Sequence, residues 1–224
     1  MSADPRLDLA VGVLDLHGGR VRFMHPREPT ALLDDEDVAA DQAYPPYWAE
    51  VWESGVELAH AVSARDWTGA AVLELGCGLG LPSLAAALRG AHVLATDRVA
   101  DALAFAGANA AENGVAVETA VCAWSDPGPV LDRAPWDLVL AADVLYERRD
   151  IEPLLALTER VVAPGGDLWL AEPNRVPALL VVETLKTRGW ACETERCDGP
   201  WPDPKDNRKG IVVSIHRLRR PALL

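Results

Sequence analysis

The chain has 224 residues, 50% of them hydrophobic and 25% charged, the proportions of a folded globular protein and not of a disordered one. Its 21 Lys and Arg face 34 Asp and Glu, a net charge of −13 with histidine neutral. So acidic a surface repels phosphate backbones and anionic headgroups, and neither nucleic acid nor a membrane is expected as a partner. Cys77, Cys122, Cys192 and Cys197 form no C-x-x-C pair and the histidines are scattered, so no metal site is expected. The first residues lack a basic start followed by a long apolar core, and no run of ~18 apolar residues occurs, which predicts a cytoplasmic protein. Lysine (Lys186, Lys205, Lys209) is rare beside arginine and alanine is abundant, a composition of GC-rich bacterial genomes.

In chain order, Val11 to Leu16 and Arg20 to Met24 alternate apolar and polar residues around His17-Gly18-Gly19, which predicts a β-hairpin. The acidic stretch Asp34 to Asp41 reads as a solvated loop. Tyr44-Pro45-Pro46-Tyr47 is a stiff aromatic entry into WAEVWESGVELAHAV, where Trp48, Val51, Trp52, Val56, Ala59 and Val62 recur at helical spacing and predict an amphipathic helix. From residue 70 strands and helices alternate. AAVLEL is a strand, GCGLG a glycine loop, and Pro82 opens a helix that Gly90 stops. AHVLAT is the second strand of this series, closed by Asp97, and Val99 to Asn113 is a helix. VAVETAVCAW and WDLVLAAD are the third and fourth strands. Asp150 to Val162 is helical, Pro164-Gly165-Gly166 turns, DLWLAEP is the fifth strand, and Val176 to Arg188 is helical again. This order predicts βαβ crossovers, a parallel sheet and helices on both faces. The tail differs: ACETERC and IVVSIHRL, joined by a loop with no helix, predict an antiparallel hairpin at the end of the sheet.

The chemistry centres on VLELGCGLG, residues 72–80. Gly76, Gly78 and Gly80 permit positive φ and close approach of a ligand to the backbone, and the adjacent helix start offers free N–H groups. Asp97, at the end of the next strand, is placed to accept hydrogen bonds from both hydroxyls of a ribose. The pair predicts a nucleoside cofactor. Leu81 stands where the dinucleotide fingerprint requires its third glycine, and Glu74 adds negative charge where a pyrophosphate would sit. A cationic ligand suits Glu74 better, such as the α-amino and sulfonium groups of S-adenosylmethionine.

The E-L-G-x-G-x-G loop, Asp97 and the terminal hairpin resemble a class I, seven-strand methyltransferase. More narrowly, the chain resembles the family-16 protein methyltransferases, which include several lysine methyltransferases. PPYWAEVWESGVELA is similar to that family's tryptophan-bearing helix, and LELGCGLGLPSLAAALRGAHVLATD to its first two strands. CAW ends in Trp124, similar to the tryptophan beside adenine, and DLVLAADVLYERRDIEPLL carries Asp143-Val144-Leu145-Tyr146, which fits the D-x-x-Y signature. The likeness spans roughly residues 44–172. It implies an α/β fold with a Rossmann-like, mostly parallel seven-strand sheet and a C-terminal antiparallel hairpin. Residues 1–43 are expected as an N-terminal hairpin and loop extension, and residues 44–224 as a single methyltransferase domain. It further implies S-adenosyl-L-methionine as cofactor, with S-adenosyl-L-homocysteine as product. Trp52, Glu74, Gly76, Cys77, Gly78, Gly80, Asp97, Arg98, Trp124 and Ala142 would surround the cofactor, and Asp143 and Tyr146 would face methyl transfer.

The implied reaction is an in-line displacement whose main requirement is alignment, with the nucleophile ~3–3.5 Å from the methyl carbon. A lysine acceptor must also lose its proton, and an aromatic-lined channel and the sulfonium charge both favour that. On this reading Asp143 orients the amine and Tyr146 walls and hydrogen-bonds it. A simple base role for Asp143 fits less well, because a nearby carboxylate also stabilises the ammonium. Substrate choice falls to parts outside the core: His25-Pro26-Arg27, Pro173-Asn174-Arg175 and Trp201-Pro202-Asp203-Pro204. The partner is then a protein lysine side chain or a small-molecule methyl acceptor. A small-molecule N- or O-methyltransferase and a non-catalytic S-adenosylmethionine-binding module are the alternative functions.

Overall fold

A computed structural model describes residues 8–32, 46–199 and 210–222. The acidic stretch Asp34 to Asp41 and the Trp201-Pro202-Asp203-Pro204 loop lie outside the described residues.

The chain opens with an antiparallel hairpin, β1 (Leu9–Leu16) and β2 (Gly19–Pro26), in which Leu16 pairs with Gly19 across the turn. Helix α1 (Glu53–Ser63) follows, then β3 (Ala71–Leu75), α2 (Leu81–Leu88), β4 (His92–Asp97), α3 (Ala100–Glu112), β5 (Glu118–Val121) and the short α4 (Gly128–Leu131). The remainder is β6 (Trp136–Ala142), α5 (Ile151–Val161), β7 (Val162–Glu172), α6 (Val176–Thr187), β8 (Ala191–Cys197) and β9 (Val213–Arg219). The main sheet has the order β5-β4-β3-β6-β7-β9-β8. Its β5-to-β7 part is parallel, and β9 inserts antiparallel between β7 and β8.

Side-chain alternation along the strands explains the layers. Leu73 and Leu75 of β3, Val139 and Ala141 of β6, and Leu168 and Leu170 of β7 face a core closed by α5 and α6. Val72, Leu138, Leu140, Trp169 and Ala171 face the opposite core, closed by α1, α2 and the hairpin residues Leu14, Leu16, Val21 and Phe23. Complete burial of a leucine contributes about 1.5–3 kcal/mol, so two filled faces fix the register of every central strand. The hairpin is tied down by polar groups as well. Asn109 of α3 and Asn113, its C-cap one turn on, meet the backbone of β2: each accepts an N–H, from Met24 and Arg22, and donates to the same residue's carbonyl. The two amides thereby occupy part of an exposed strand edge.

Three elements differ from expectation. The helix predicted to carry Trp48, Val51 and Trp52 starts only at Glu53; Tyr47–Ala49 forms a 3₁₀ turn and Trp52 is the extended N-cap residue. The break lets the Trp52 indole donate to the Tyr47 carbonyl at 2.7 Å, an acceptor that a continuous helix would use for its own ladder. The third strand of the alternating series, β5, is shorter than expected and stops at Val121: the Cys122 N–H makes the last ladder bond, to the Asp97 carbonyl, and the chain then turns back on itself with Asp126 bonded to Ala123. Strand β7 is longer than expected. Pro164-Gly165-Gly166 lies within it, since Gly165 and Gly166 exchange backbone hydrogen bonds with Arg220.

Because the chain runs outward from β3 through β4 to β5 and returns on the other side as β6, a crevice opens at the carboxyl ends of β3 and β6.

Candidate active site

A cavity of about 920 Å³ fills that crevice. Trp52, Glu74, Gly76, Cys77, Gly78, Gly80, Asp97, Arg98, Trp124, Ala142, Asp143 and Tyr146 all line it, so the structure brings together the residues expected to surround the cofactor and to face methyl transfer. His25-Pro26-Arg27 does not line it; Arg27 pairs with Asp8 at 3.0 Å instead.

The glycine loop bends between β3 and α2. Gly78 has φ of 49°, and a Cβ there would lie 2.9 Å from the Trp48 carbonyl oxygen, a backbone atom that cannot rotate away. Its N–H donates to Asp97 Oδ2 at 3.0 Å, while Asp97 Oδ1 accepts the Val99 N–H at 3.0 Å. Each carboxylate oxygen has a second lone pair, so acceptor capacity remains for two hydroxyls. Burial pushes the Asp97 carboxyl above its ordinary range. Gly78→Ala is expected to cost about 2 kcal/mol of stability through left-handed strain and collision with Trp48. Urea unfolding checks that loss.

Glu74 is buried beneath α2. Its Oε2 accepts the Ser83 N–H at 2.9 Å and a short hydrogen bond from the Ser83 hydroxyl. The sequence offered no sign of this partner, which places the carboxyl at the first turn of α2 as well as at the cavity wall. Complete burial pushes its pKa up to about 8, against the pull of the Ser83 hydrogen bonds. An unfolded glutamate ionises near pH 4.5, so between about 4.5 and 8 the folded state holds more protons, and a stabilising contribution that is full below 4.5 declines across this window and is gone once pH has risen through 8. Glu74→Gln should therefore flatten the decline in thermal stability between pH 5.5 and 8.5, read by unfolding scans at several pH values.

The rest of the site is built at the ends of β6 and β7. Asp143 leaves β6 with φ of 53°, in the left-handed region, its N–H bonded to the Ala171 carbonyl at 2.9 Å. Its carboxylate is buried and pairs with Arg175 Nε at 2.7 Å. Arg175 lies outside the cavity lining and was legible in the sequence only as part of a candidate specificity loop. Tyr146 is half-buried, and burial raises its hydroxyl pKa. Arg98 reaches across from the end of β4 to the Tyr146 hydroxyl at 3.4 Å. Tyr47, which sequence reasoning passed over, meets Tyr146 edge-on at 5.7 Å and Trp52 at 6.0 Å between ring centroids. The aromatic PPYW run was the signal that should have marked it.

A seven-strand sheet with a terminal antiparallel strand pair, a glycine loop after β3 and a buried aspartate after β4 define the fold of a class I methyltransferase. Residues 41–178 match the methyltransferase family 16 model, described as lysine methyltransferase, and the chain belongs to this family. It is 35% identical over 120 residues to the protein N-lysine methyltransferase METTL21A of Danio rerio, covering 50% of this chain and 55% of that protein. It is also 32% identical over 130 residues to a ubiquinone biosynthesis O-methyltransferase of Xylella fastidiosa, covering 58% and 52%. The chain thus spans about half the length of these curated relatives. Among solved structures, a putative SAM-dependent methyltransferase from Streptococcus mutans superposes with a TM-score of 0.61 at 13% identity, covering 75% of this chain and 49% of that one. The magnesium protoporphyrin IX methyltransferase of Synechocystis, solved with bound SAM, gives 0.56 at 17% identity, covering 75% and 77%. Both structural likenesses are likenesses of fold.

The family's cofactor is S-adenosylmethionine, and the residues present fit it. Asp97 offers two carboxylate oxygens where a ribose needs acceptors, and Glu74 provides a buried carboxyl at the cavity wall whose ionisation a bound cationic group would favour. Trp124 gives the wall a flat, half-buried aromatic face. Among the described residues no cluster of His, Cys, Asp and Glu suits a metal ion, and no helix is long and apolar enough to cross a membrane.

Proposed function

We propose that the protein is an S-adenosylmethionine-dependent methyltransferase acting on the side-chain amine of a protein lysine. The observation that carries this reading is the aromatic mouth beside the D-x-x-Y pair. Tyr47, partly exposed, stands between Tyr146 and Trp52, and this arrangement suits a long aliphatic stem ending in an amine. The net charge of −13 further favours a basic partner.

On this reading Trp52, Gly76, Cys77, Gly78, Gly80, Asp97, Arg98, Trp124 and Ala142 hold the cofactor, with Glu74 beside its cationic groups. When bound, the cofactor supplies a methyl group on a sulfonium sulfur, which leaves with its bonding electrons as the neutral thioether. The acceptor ammonium first sheds one proton to solvent; Asp143 and Tyr146 then orient the neutral nitrogen so that its lone pair points at the methyl carbon, and the methylated product carries the positive charge. The chain's own contribution is alignment and exclusion of water by the aromatic rings.

A second reading is supported by the identity to ubiquinone biosynthesis O-methyltransferases: transfer to a small-molecule acceptor. Incubation of the purified protein with methyl-labelled S-adenosylmethionine and a cell lysate separates the two. Label in a protein band is the expected result. Label confined to the small-molecule fraction, above a no-enzyme control, would replace the first reading by the second.

A further inference from the structure

The terminal hairpin and the Asp143–Arg175 pair are joined by a chain of polar contacts, buried at Glu172 and His216, that the cofactor does not require. Asp143 and Asn174 follow neighbouring strands, β6 and β7, and both take left-handed backbone conformations, with φ of 53° and 63°. Such strain at non-glycine residues persists only where the surroundings fix it. The surroundings here are specific. Asn174 donates to the Val212 carbonyl at 2.8 Å and accepts from the Ser214 hydroxyl at 3.0 Å, so β9 and its approach grip it from both sides. Glu172 Oε2 accepts the Arg175 N–H, and Glu172 Oε1 lies 3.1 Å from His216 Nε2. His216 Nδ1 in turn meets the Thr194 hydroxyl at 2.9 Å. Glu172 and His216 are 1% and 5% exposed, so this pair is shielded from water. The result is that the backbone of Arg175 is fixed where its guanidinium meets Asp143 at 2.7 Å.

We propose that Arg175 is a positioning residue of the methyl-acceptor site, holding the Asp143 carboxylate in one orientation and cancelling its charge. This rests on the lysine reading above in one respect: the acceptor is an amine that must shed a proton. An uncompensated buried carboxylate favours the ammonium, which has no lone pair to attack with. A carboxylate paired to a guanidinium still accepts a hydrogen bond from a neutral amine, yet its field on a proton is largely offset. The geometry thereby resolves the conflict between an orienting carboxylate and a deprotonated nucleophile. Burial acts to lower the Arg175 pKa, but the hydrogen bond and charge of Asp143 outweigh it and raise the value, so the guanidinium stays charged.

A double-mutant cycle tests this. Single-turnover methyl transfer to protein, with product counted by mass spectrometry so that slow variants still give a rate, is measured for wild type, Arg175→Gln, Arg175→Lys, Asp143→Asn and Asp143→Asn/Arg175→Gln. Calorimetry gives each variant's affinity for S-adenosylhomocysteine. Arg175→Gln is expected to slow transfer about 10-fold or more with affinity within about two-fold of wild type, and Arg175→Lys to recover part of that rate because it keeps the charge. In the Asp143→Asn background, Arg175→Gln should cost no further rate, since its effect runs through Asp143. A wild-type rate for Arg175→Gln, or losses that multiply in the double variant, would overturn the proposal while leaving lysine methylation intact. Failure of the wild type to label any protein would instead overturn the lysine reading, and this inference with it.

Discussion

Replacing Asp143 by asparagine should slow methyl transfer by about 100-fold while cofactor affinity stays within about two-fold of wild type. The amide keeps the size of the side chain but loses the charge that holds Arg175 at 2.7 Å, and with it the fixed acceptor for an incoming amine. On the proposed reading the cofactor is held by the glycine loop and Asp97 and not by Asp143, which is why affinity should be spared. Turnover by Asp143→Asn equal to wild type would remove the orienting role.

Asp97→Ala should have the opposite signature, a loss of S-adenosylhomocysteine affinity of about 100-fold or more in calorimetry. Two charge-assisted hydrogen bonds to ribose hydroxyls are worth about 1.5–3 kcal/mol each, and the lower end of their sum already exceeds a hundredfold. The substitution also strips the Gly78 and Val99 N–H groups of their acceptor, so the glycine loop loses its tie to the end of β4. Asp97→Asn keeps one acceptor oxygen and should lie between the two. Asp97→Ala with wild-type affinity would place the ribose elsewhere in the cavity.

The parts of this molecule that were legible in the sequence are those whose signal is local. The glycine loop, Asp97 and the D-x-x-Y stretch each sit at the carboxyl end of an apolar run, and strand ends in a parallel sheet converge on one edge. The terminal hairpin announced itself by two β-rich runs without a helix between them, and β9 and β8 pair antiparallel as expected. What was not legible depends on contacts between distant residues. Arg175 meets Asp143 across 32 positions of sequence, and Asn109 meets Met24 across 85. No periodicity encodes such a meeting. Trp52 misled for a different reason: its apolar spacing is helical, but it stands in extended backbone as the N-cap, with its indole N–H on the Tyr47 carbonyl. Glu74 was read from its charge alone, whereas the structure gives it Ser83 as a partner and a carboxyl pushed up to about 8 by burial.

The central claim, that the acceptor is a lysine amine on a protein, is tested most directly by blocking that amine. A lysate is divided, one half acetylated on its lysines, and both halves are incubated with the purified protein and methyl-labelled S-adenosylmethionine. Acetylation neutralises the ammonium and occupies the nitrogen lone pair. Protein-bound label that appears in the untreated half and vanishes in the acetylated half is the predicted result. Protein-bound label that survives acetylation, or label found only among small molecules, would contradict it.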